Sequence, residues 1–178
     1  MNYDEIINNI PKGLNDIEKA RFIYIKLGKF FSYDEEYITG DMFVKQYLFD
    51  KGIKDIQGNK VVCTSLARIY NDLLNRVGVK SSVVIGEGNF LGHAWNELEI
   101  GGEKYTCSLI EDLMNIKKGF KTQYFARIDK DRIKDMKGAK EKSDKELKVI
   151  DDKIGYTYNR NIYEWFCFNV KKRDGFTW

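Results

Sequence analysis

The fold is decided by CTSLARIYNDLLNRVGVKSSVVIG, residues 63–86, and by GHAWNELEIGGEKY, residues 92–105. From Cys63 to Val77, apolar side chains recur at every third or fourth position, which is the spacing of an amphipathic helix. Gly78 follows at the point where such a helix would end. We therefore predict a helix that begins at Cys63.

Two strands and a hairpin are predicted after this helix. Residues 81–88 are rich in β-branched side chains and end in glycine, and residues 93–100 alternate between two faces. The Gly101–Gly102 pair can supply the positive φ angles of a tight turn, so residues 103–109 are expected to form the returning strand. The predicted fold class is α+β, with the helix that begins at Cys63 packed on an antiparallel β-sheet.

The chain is long enough for one domain with a sizeable core. It has 178 residues, of which 43% are hydrophobic and 14% aromatic, and this composition excludes disorder. We predict a single domain over 1–178 with three parts: a core motif region at 60–112, a helical N-terminal part at 1–59, and an aromatic-rich covering segment at 113–178.

Further helices are predicted on both sides of the core motif. Residues 15–31 have helical spacing, with Asn15 and Glu18 placed as an N-terminal cap, and residues 41–52 form a shorter helix. Residues 117–148 hold 12 basic and 6 acidic side chains, interleaved as on a solvated helix face. Nucleic-acid binding through this basic stretch is therefore a weaker alternative, and it would require an affinity that falls steeply with salt.

Several classes of protein are excluded by pattern. The sequence has no run of 18 apolar residues that could span a bilayer, and its first residues do not resemble a signal peptide. Cys63, Cys107 and Cys167 are widely spaced and odd in number, which fits neither a disulfide framework nor a zinc site. We expect a cytoplasmic protein with at least one free thiol and no metal or organic cofactor, while export without a signal peptide stays open.

Cys63 and His93 are the residues that could carry chemistry. His93 is the only histidine, and it opens a predicted strand that follows the helix led by Cys63. A helix N-terminus favours the thiolate form of a cysteine, and a neighbouring imidazolium favours it further. Histidine can take the thiol proton and hand it to a leaving amine. Such a pair performs acyl transfer on amides.

Each residue also has a structural interpretation. Cysteine is among the most buried residue types, so Cys63 could be a packed core thiol, and His93 could be a hydrogen-bonded structural residue. Cys107 lies within a predicted strand and Cys167 in an aromatic cluster, and both are assigned to packing. The joint context of Cys63 and His93 favours catalysis.

The stretch from Lys60 to Asp112 resembles the core of the transglutaminase-like superfamily, which belongs with the papain-like cysteine enzymes. The resemblance rests on a cysteine that opens a helix ending at glycine, a strand, the sequence HAWNE at 93–97, a glycine turn and a Tyr-containing strand. It implies a transglutaminase-like fold, with Cys63 as the nucleophile and His93 as the general base. The bacterial-type members of this superfamily include peptidases, deamidases and cross-linking enzymes.

The sequence departs from the family pattern at the third catalytic position. The aspartate that orients the histidine in the family falls on Ser108, which is a neutral partner and stabilises an imidazolium less than a carboxylate does. Asp112 lies four residues further on and could supply the carboxylate if the strand ended early. The remaining alternatives are a Cys–His dyad and a domain that has lost activity.

Two more residues are candidates for the site. Gln57 precedes Cys63 by six residues, a spacing similar to that of the oxyanion-hole glutamine of papain-like proteases, although a polar loop residue is the alternative. Trp95 follows His93 on the same strand face, where it could shield the imidazole, form a wall of the substrate cleft or simply pack.

The sequence thus predicts a thiol enzyme that acts on an amide or peptide bond of a protein or peptide substrate. Hydrolysis by a protease, amidase or deamidase is favoured over cross-linking. The alternative is a catalytically inactive transglutaminase-like domain that binds a protein or peptide. Neither hypothesis involves nucleic acid or a membrane, and the sequence leaves the oligomeric state open.

Overall fold

A computed structural model describes residues 2–50, 56, 58–86 and 92–158 of the chain. Its helices are α1 (Tyr3–Asn8), α2 (Asp16–Phe30), α3 (Glu36–Thr39), α4 (Met42–Asp50), α5 (Cys63–Arg76), α6 (Leu109–Lys117) and α7 (Asp144–Ile154). Its strands are β1 (Ser32–Tyr33), β2 (Lys60–Val61), β3 (Ser81–Gly86), β4 (His93–Ile100) and β5 (Glu103–Cys107). The structure is therefore α+β, as predicted.

The three longer strands form an antiparallel sheet in the order β3-β4-β5. Gly101 and Gly102 adopt φ angles of +61° and +78° in the turn between β4 and β5, which is the conformation expected of a tight hairpin. On the other side of β4, His93 pairs with Gly86. The start of β4 therefore lies at the end of the sheet opposite the hairpin turn.

Helix α5 packs on this sheet through its apolar stripe. Leu66, Tyr70, Leu73 and Leu74 are all fully buried in the main core. The contact between α5 and the sheet also includes a buried hydrogen bond, which Asn96 Nδ2 on β4 donates to the carbonyl oxygen of Ala67 at 2.9 Å. The prediction of a helix beginning at Cys63 and packing on an antiparallel sheet is confirmed.

A short parallel pairing aligns the chain before α5. Strand β1 pairs with β2, with Tyr33 opposite Val61, two residues before Cys63. Helix α2 leads into β1 and begins with the predicted cap, in which Asn15 and Glu18 each bond the other's backbone N–H. The predicted N-terminal helix is thus confirmed, and its end places a tyrosine beside the start of α5.

The predicted third strand is confirmed over Glu103–Cys107, but its predicted end is wrong. Residues 103–109 were expected to be extended, but β5 ends at Cys107 and Ser108 is the N-cap of helix α6. Helix α6 packs against α2 and α5. This early end of the strand matters because it moves the side chains after Ser108 from a strand onto a helix.

No helix within the described ranges combines the length and apolar character that a bilayer crossing needs. The predicted covering segment at 113–178 is described only as far as residue 158, where it includes α7. Residues 159–178, with Cys167, lie outside the described residues, and so does Gln57.

Candidate active site

Cys63 is the first residue of α5, and its side chain lies near the positive end of the helix. Val62 before it is extended, and the backbone N–H of Val62 donates to Ser65 Oγ at 3.0 Å, which fixes the turn at this point. The N–H groups of a first helical turn have no acceptor within the helix. Cys63 is 5% exposed, so a thiol and free N–H groups meet at a sheltered position.

His93 is the first residue of β4, and it lines the same cavity as Cys63. Its Nε2 lies 2.9 Å from Ser108 Oγ. Because Nε2 faces Ser108, Nδ1 is the ring nitrogen that Ser108 does not engage. Gly92 precedes the histidine with φ +93°, and a Cβ there would lie 2.9 Å from the carbonyl oxygen of Gly86. The close approach of β3 and the positive φ thus both favour glycine immediately before the imidazole.

Glu111 on α6 faces the same nitrogen of His93. Its Oε2 lies 3.5 Å from His93 Nε2, and its Oε1 accepts a hydrogen bond from Arg132 Nη1 at 3.1 Å. Arg132 also forms an ion pair with Asp129. The side chains of His93 and Glu111 are 12% and 23% exposed, so the pair is sheltered from most solvent screening.

The charges of this cluster are coupled. Burial acts to lower the pKa of His93, but the proximity of Cys63 and the proximity and negative charge of Glu111 outweigh it and raise that pKa above its ordinary value. Burial acts to raise the pKa of Glu111, while the proximity and charge of His93, the nearby Ser108 hydroxyl and the charge of Arg132 bring it below its ordinary value. The geometry therefore favours an imidazolium beside a carboxylate.

A cavity of about 300 Å³ opens onto Cys63 and His93. Its other described lining residues are Tyr33, Tyr37, Gly92, Ile110 and Glu111. Burial and the proximity of Cys63 raise the pKa values of both tyrosines, so their hydroxyl groups stay protonated and can act as hydrogen-bond donors at neutral pH. A small, partly apolar cavity with a thiol, an imidazole and phenols can receive an acyl group.

Asp112 was the candidate for the third catalytic position, but the structure does not bring it to His93. Its Oδ1 accepts from Asn115 Nδ2 at 3.0 Å and from the N–H of Gln123 at 2.8 Å. Its Oδ2 accepts from the Tyr24 hydroxyl at 2.7 Å and from the N–H of Tyr124 at 2.9 Å. Asp112 is fully buried in these contacts, and burial raises its pKa in spite of them. It therefore holds α6 to its neighbours instead of orienting the imidazole.

Ser108, which the sequence predicts in place of an orienting aspartate, does contact His93. The residue is 3% exposed, and its carbonyl oxygen lies 3.1 Å from the Tyr24 hydroxyl. The hydroxyl group therefore lies beside the imidazole on a backbone that is anchored to α2.

Trp95 stacks on His93 with ring centroids 6.1 Å apart and ring planes 21° apart. It is fully buried, and the described lining of the cavity does not include it. Trp95 therefore lies against the imidazole and outside the described lining of this cavity. The oxyanion role suggested for Gln57 lies outside the described residues.

Sequence reasoning missed Glu111, Arg132 and the two cavity tyrosines. A signal for Glu111 was present, because Ser108 and Glu111 have the S-x-x-E spacing that marks the beginning of a helix. Arg132 and Tyr33 lie far from His93 along the chain and come to the site only through tertiary contacts. Across the described ranges, no three His, Cys, Asp or Glu side chains lie close enough together to hold a metal ion.

No protein-family model matches the chain, and no curated protein matches it. A crystal structure of a TGase is similar to it over 72% of this chain and 33% of that chain, with 15% sequence identity and a TM-score of 0.46. The chain thus spans about a third of the length of that structure.

Proposed function

We propose that this chain is a cysteine-dependent acyl-transfer enzyme that acts on amide or peptide bonds of proteins or peptides. Cys63 is the nucleophile, His93 is the general base, and water is the acceptor. The observation that carries the proposal is that the Cys63 thiol, at the first position of a helix, and the His93 imidazole line one cavity. The resemblance of residues 60–112 to the transglutaminase-like core suggests the same roles.

In the acylation half, the thiol proton passes to His93 and the thiolate attacks the carbonyl carbon of the substrate. The carbonyl oxygen becomes an oxyanion, which the free N–H groups at the start of α5 can stabilise. The tetrahedral intermediate then breaks its C–N bond. The amine leaves with the proton from His93, and a thioester on Cys63 remains.

In the deacylation half, His93 removes a proton from water, which attacks the thioester carbonyl. The C–S bond breaks, the acid product leaves, and the proton returns to the thiolate through His93. Trp95, stacked on the imidazole, limits its motion during both transfers. The reaction requires no oxidant, reductant or metal.

The first test measures alkylation of each cysteine by iodoacetamide at pH 6, resolved by peptide mass spectrometry. We expect Cys63 to react much faster than Cys107, which is fully buried and serves as the control within the same molecule. Burial raises the pKa of Cys107 to about 12, which keeps it protonated. His93→Ala should slow Cys63 by up to about 10²-fold, because a thiol without a charged partner still holds a thiolate fraction of about 10⁻² to 10⁻³ at pH 6. Equal, slow rates at both cysteines would favour the peptide-binding alternative.

The second test identifies the acceptor. The protein is incubated with a glutamine-containing peptide mixture in H₂¹⁸O, with and without a primary amine, and the masses of the products are measured by mass spectrometry. We expect one ¹⁸O atom in each new carboxyl group and no product with Cys63→Ala. Incorporation of the amine in place of ¹⁸O would identify a cross-linking enzyme instead.

A further inference from the structure

The first turn of α6 has a cap sequence whose side chains do not cap. Ser108 is the N-cap residue and Glu111 is three residues later, the spacing of a capping box. In such a box the serine bonds the N–H of the third helical residue and the glutamate bonds the N–H of the serine. The Ser108 side chain makes no cap hydrogen bond, and its backbone N–H donates to the carbonyl oxygen of Tyr124 instead.

Both side chains face His93 instead. Ser108 Oγ lies 2.9 Å from His93 Nε2, and Glu111 Oε2 lies 3.5 Å from the same atom. Glu111 Oε2 is buried and accepts no hydrogen bond from the described residues. A buried carboxylate oxygen without a donor is costly, and the N–H group in front of it belongs to His93. The missing bond would form when the imidazole turns slightly from Ser108 towards Glu111.

Arg132 fixes the carboxylate in this orientation. Its Nη1 lies 3.1 Å from Glu111 Oε1, the oxygen that does not face His93, and its other ion-pair partner is Asp129. The pairing keeps Glu111 ionised and restricts its rotation. The arrangement is therefore a relay of alternating charge from Arg132 through Glu111 to His93.

We propose that Glu111, held by Arg132 and bridged by Ser108, is the positioning residue that orients His93 and stabilises its imidazolium form. The inference rests on the proposed function, since it gives His93 the charged partner that the acyl-transfer cycle needs. Each time the thiol proton reaches His93, the carboxylate balances the positive charge. The charged partner thus comes from the first turn of a helix, while the neutral Ser108 occupies the strand-end position.

The test uses the single histidine of the chain. The Cε1–H signal of His93 is followed by NMR from pH 4 to 9 in the full chain, in the wild type, in Glu111→Gln and in Glu146→Gln. Glu146 is the matched control because it occupies the equivalent position of α7, far from His93. We expect Glu111→Gln to lower the pKa of His93 and Glu146→Gln to leave it at the wild-type value. A pKa of His93 that does not change in Glu111→Gln overturns the proposal.

Two further variants test whether a change in the pKa of His93 comes from the lost carboxylate charge and not from a disturbed fold. Glu111→Asp keeps the charge on a shorter side chain, and it should leave the pKa of His93 closer to the wild-type value than Glu111→Gln does. Ser108→Ala removes the bridge and keeps the carboxylate, so it should lower that pKa less than Glu111→Gln. A larger drop in Ser108→Ala than in Glu111→Gln would assign the role to the serine and overturn the proposal.

The alkylation rate of Cys63 separates this proposal from the proposed function. In Glu111→Gln we expect that rate at pH 6 to fall about ten- to a hundredfold, because a neighbouring carboxylate favours the imidazolium form that accompanies the thiolate. If Cys63 is inert in the wild type, the proposed function fails. If Cys63 is reactive but neither its rate nor the pKa of His93 responds to Glu111, only the positioning role fails.

Discussion

Helices α6 and α7 begin with the same spacing, Ser-x-x-Glu, and use it in opposite ways. In α7, the N–H and hydroxyl of Ser143 both lie 2.8 Å from Glu146 Oε2, and the N–H of Glu146 lies 3.3 Å from Ser143 Oγ. These contacts form a complete capping box, and both of its residues are exposed to solvent. In α6, the two corresponding side chains turn away from the helix and face His93. One helix start stabilises itself, and the other supplies polar groups to the site.

The difference is possible because α6 has another anchor. Asp112, the residue after Glu111, accepts four hydrogen bonds from its surroundings in the core. These contacts tie the first turn of α6 to α2 through Tyr24 and to the loop at 123–124. With its start held from the core side, α6 does not depend on a capping box, and its cap side chains are available to the site.

The largest effect is therefore expected from Asp112. Asp112→Ala removes the shared acceptor of hydrogen bonds from Tyr24, Asn115, Gln123 and Tyr124, of which Tyr24 is fully buried. A buried donor left without its acceptor costs about 1–3 kcal/mol, so we expect a loss of about 3 kcal/mol in the free energy of unfolding, measured by urea denaturation. Asp152→Ala on the exposed side of α7 is the control and should change it by less than about 0.5 kcal/mol.

A loss at Asp112 no larger than at Asp152 would contradict the comparison, because α6 would then be held by something other than its core-facing carboxylate.

Effects of intermediate size are expected when either N-cap serine is replaced by alanine. The two variants should differ in the property that changes, which is the unfolding free energy for Ser143 and the titration of His93 for Ser108. Ser143→Ala removes the side chain that caps α7 and should cost about 1 kcal/mol of unfolding free energy, while the titration of His93 stays the same. Ser108→Ala removes no cap bond from α6, and its main effect should be a changed titration of His93. Urea denaturation and the NMR signal of His93 are measured on both variants. A shifted His93 titration in Ser143→Ala would remove the distinction between the two helix starts.

Much of this fold could be predicted because its elements carry local signals. The alternation from His93 to Ile100, the two glycines after it and the helical spacing after Cys63 each specify one structure within a short window. The chain after Cys107 was mispredicted because Ser108, Leu109 and Ile110 are compatible with a strand. The S-x-x-E spacing that marks a helix start competes there with an apolar run, and the tertiary contacts of Asp112 decide the outcome.

The site was predictable only in part for the same physical reason. Cys63 and His93 can be identified as candidates from their residue types and from their positions at the start of a helix and of a strand. The acidic partner of the imidazole cannot be identified in this way, because Glu111 and Asp112 are adjacent acids on one helix turn and differ only in which side of α6 they occupy. That choice depends on Arg132 and Tyr24, which come from distant parts of the chain.

The smallest effect is expected in the pH dependence of stability. The raised pKa of His93 means that its contribution is present below its ordinary value of 6.5 and is lost as the pH rises through the higher folded value. The lowered pKa of Glu111 means that its contribution is present above its ordinary value of 4.5 and is lost as the pH falls through the lower folded value. The His93–Glu111 contact should therefore stabilise the fold most between those two ordinary values.

The measurement is the difference in unfolding free energy between the wild type and Glu111→Gln, by urea denaturation from pH 3 to 9. We expect a maximum of less than about 1 kcal/mol near pH 5 to 6, because both side chains keep some contact with solvent. Glu146→Gln is again the control, since it makes the same substitution at the start of α7. The hydrogen bonds from Ser143 and Lys142 lower the pKa of Glu146 to about 2, so its contribution is lost only as the pH falls from about 4.5 towards 2 and does not decline between pH 6 and 9. If the Glu111→Gln difference were equally flat above pH 6, the carboxylate would not be sensing the charge of His93, and the two helix starts would be alike.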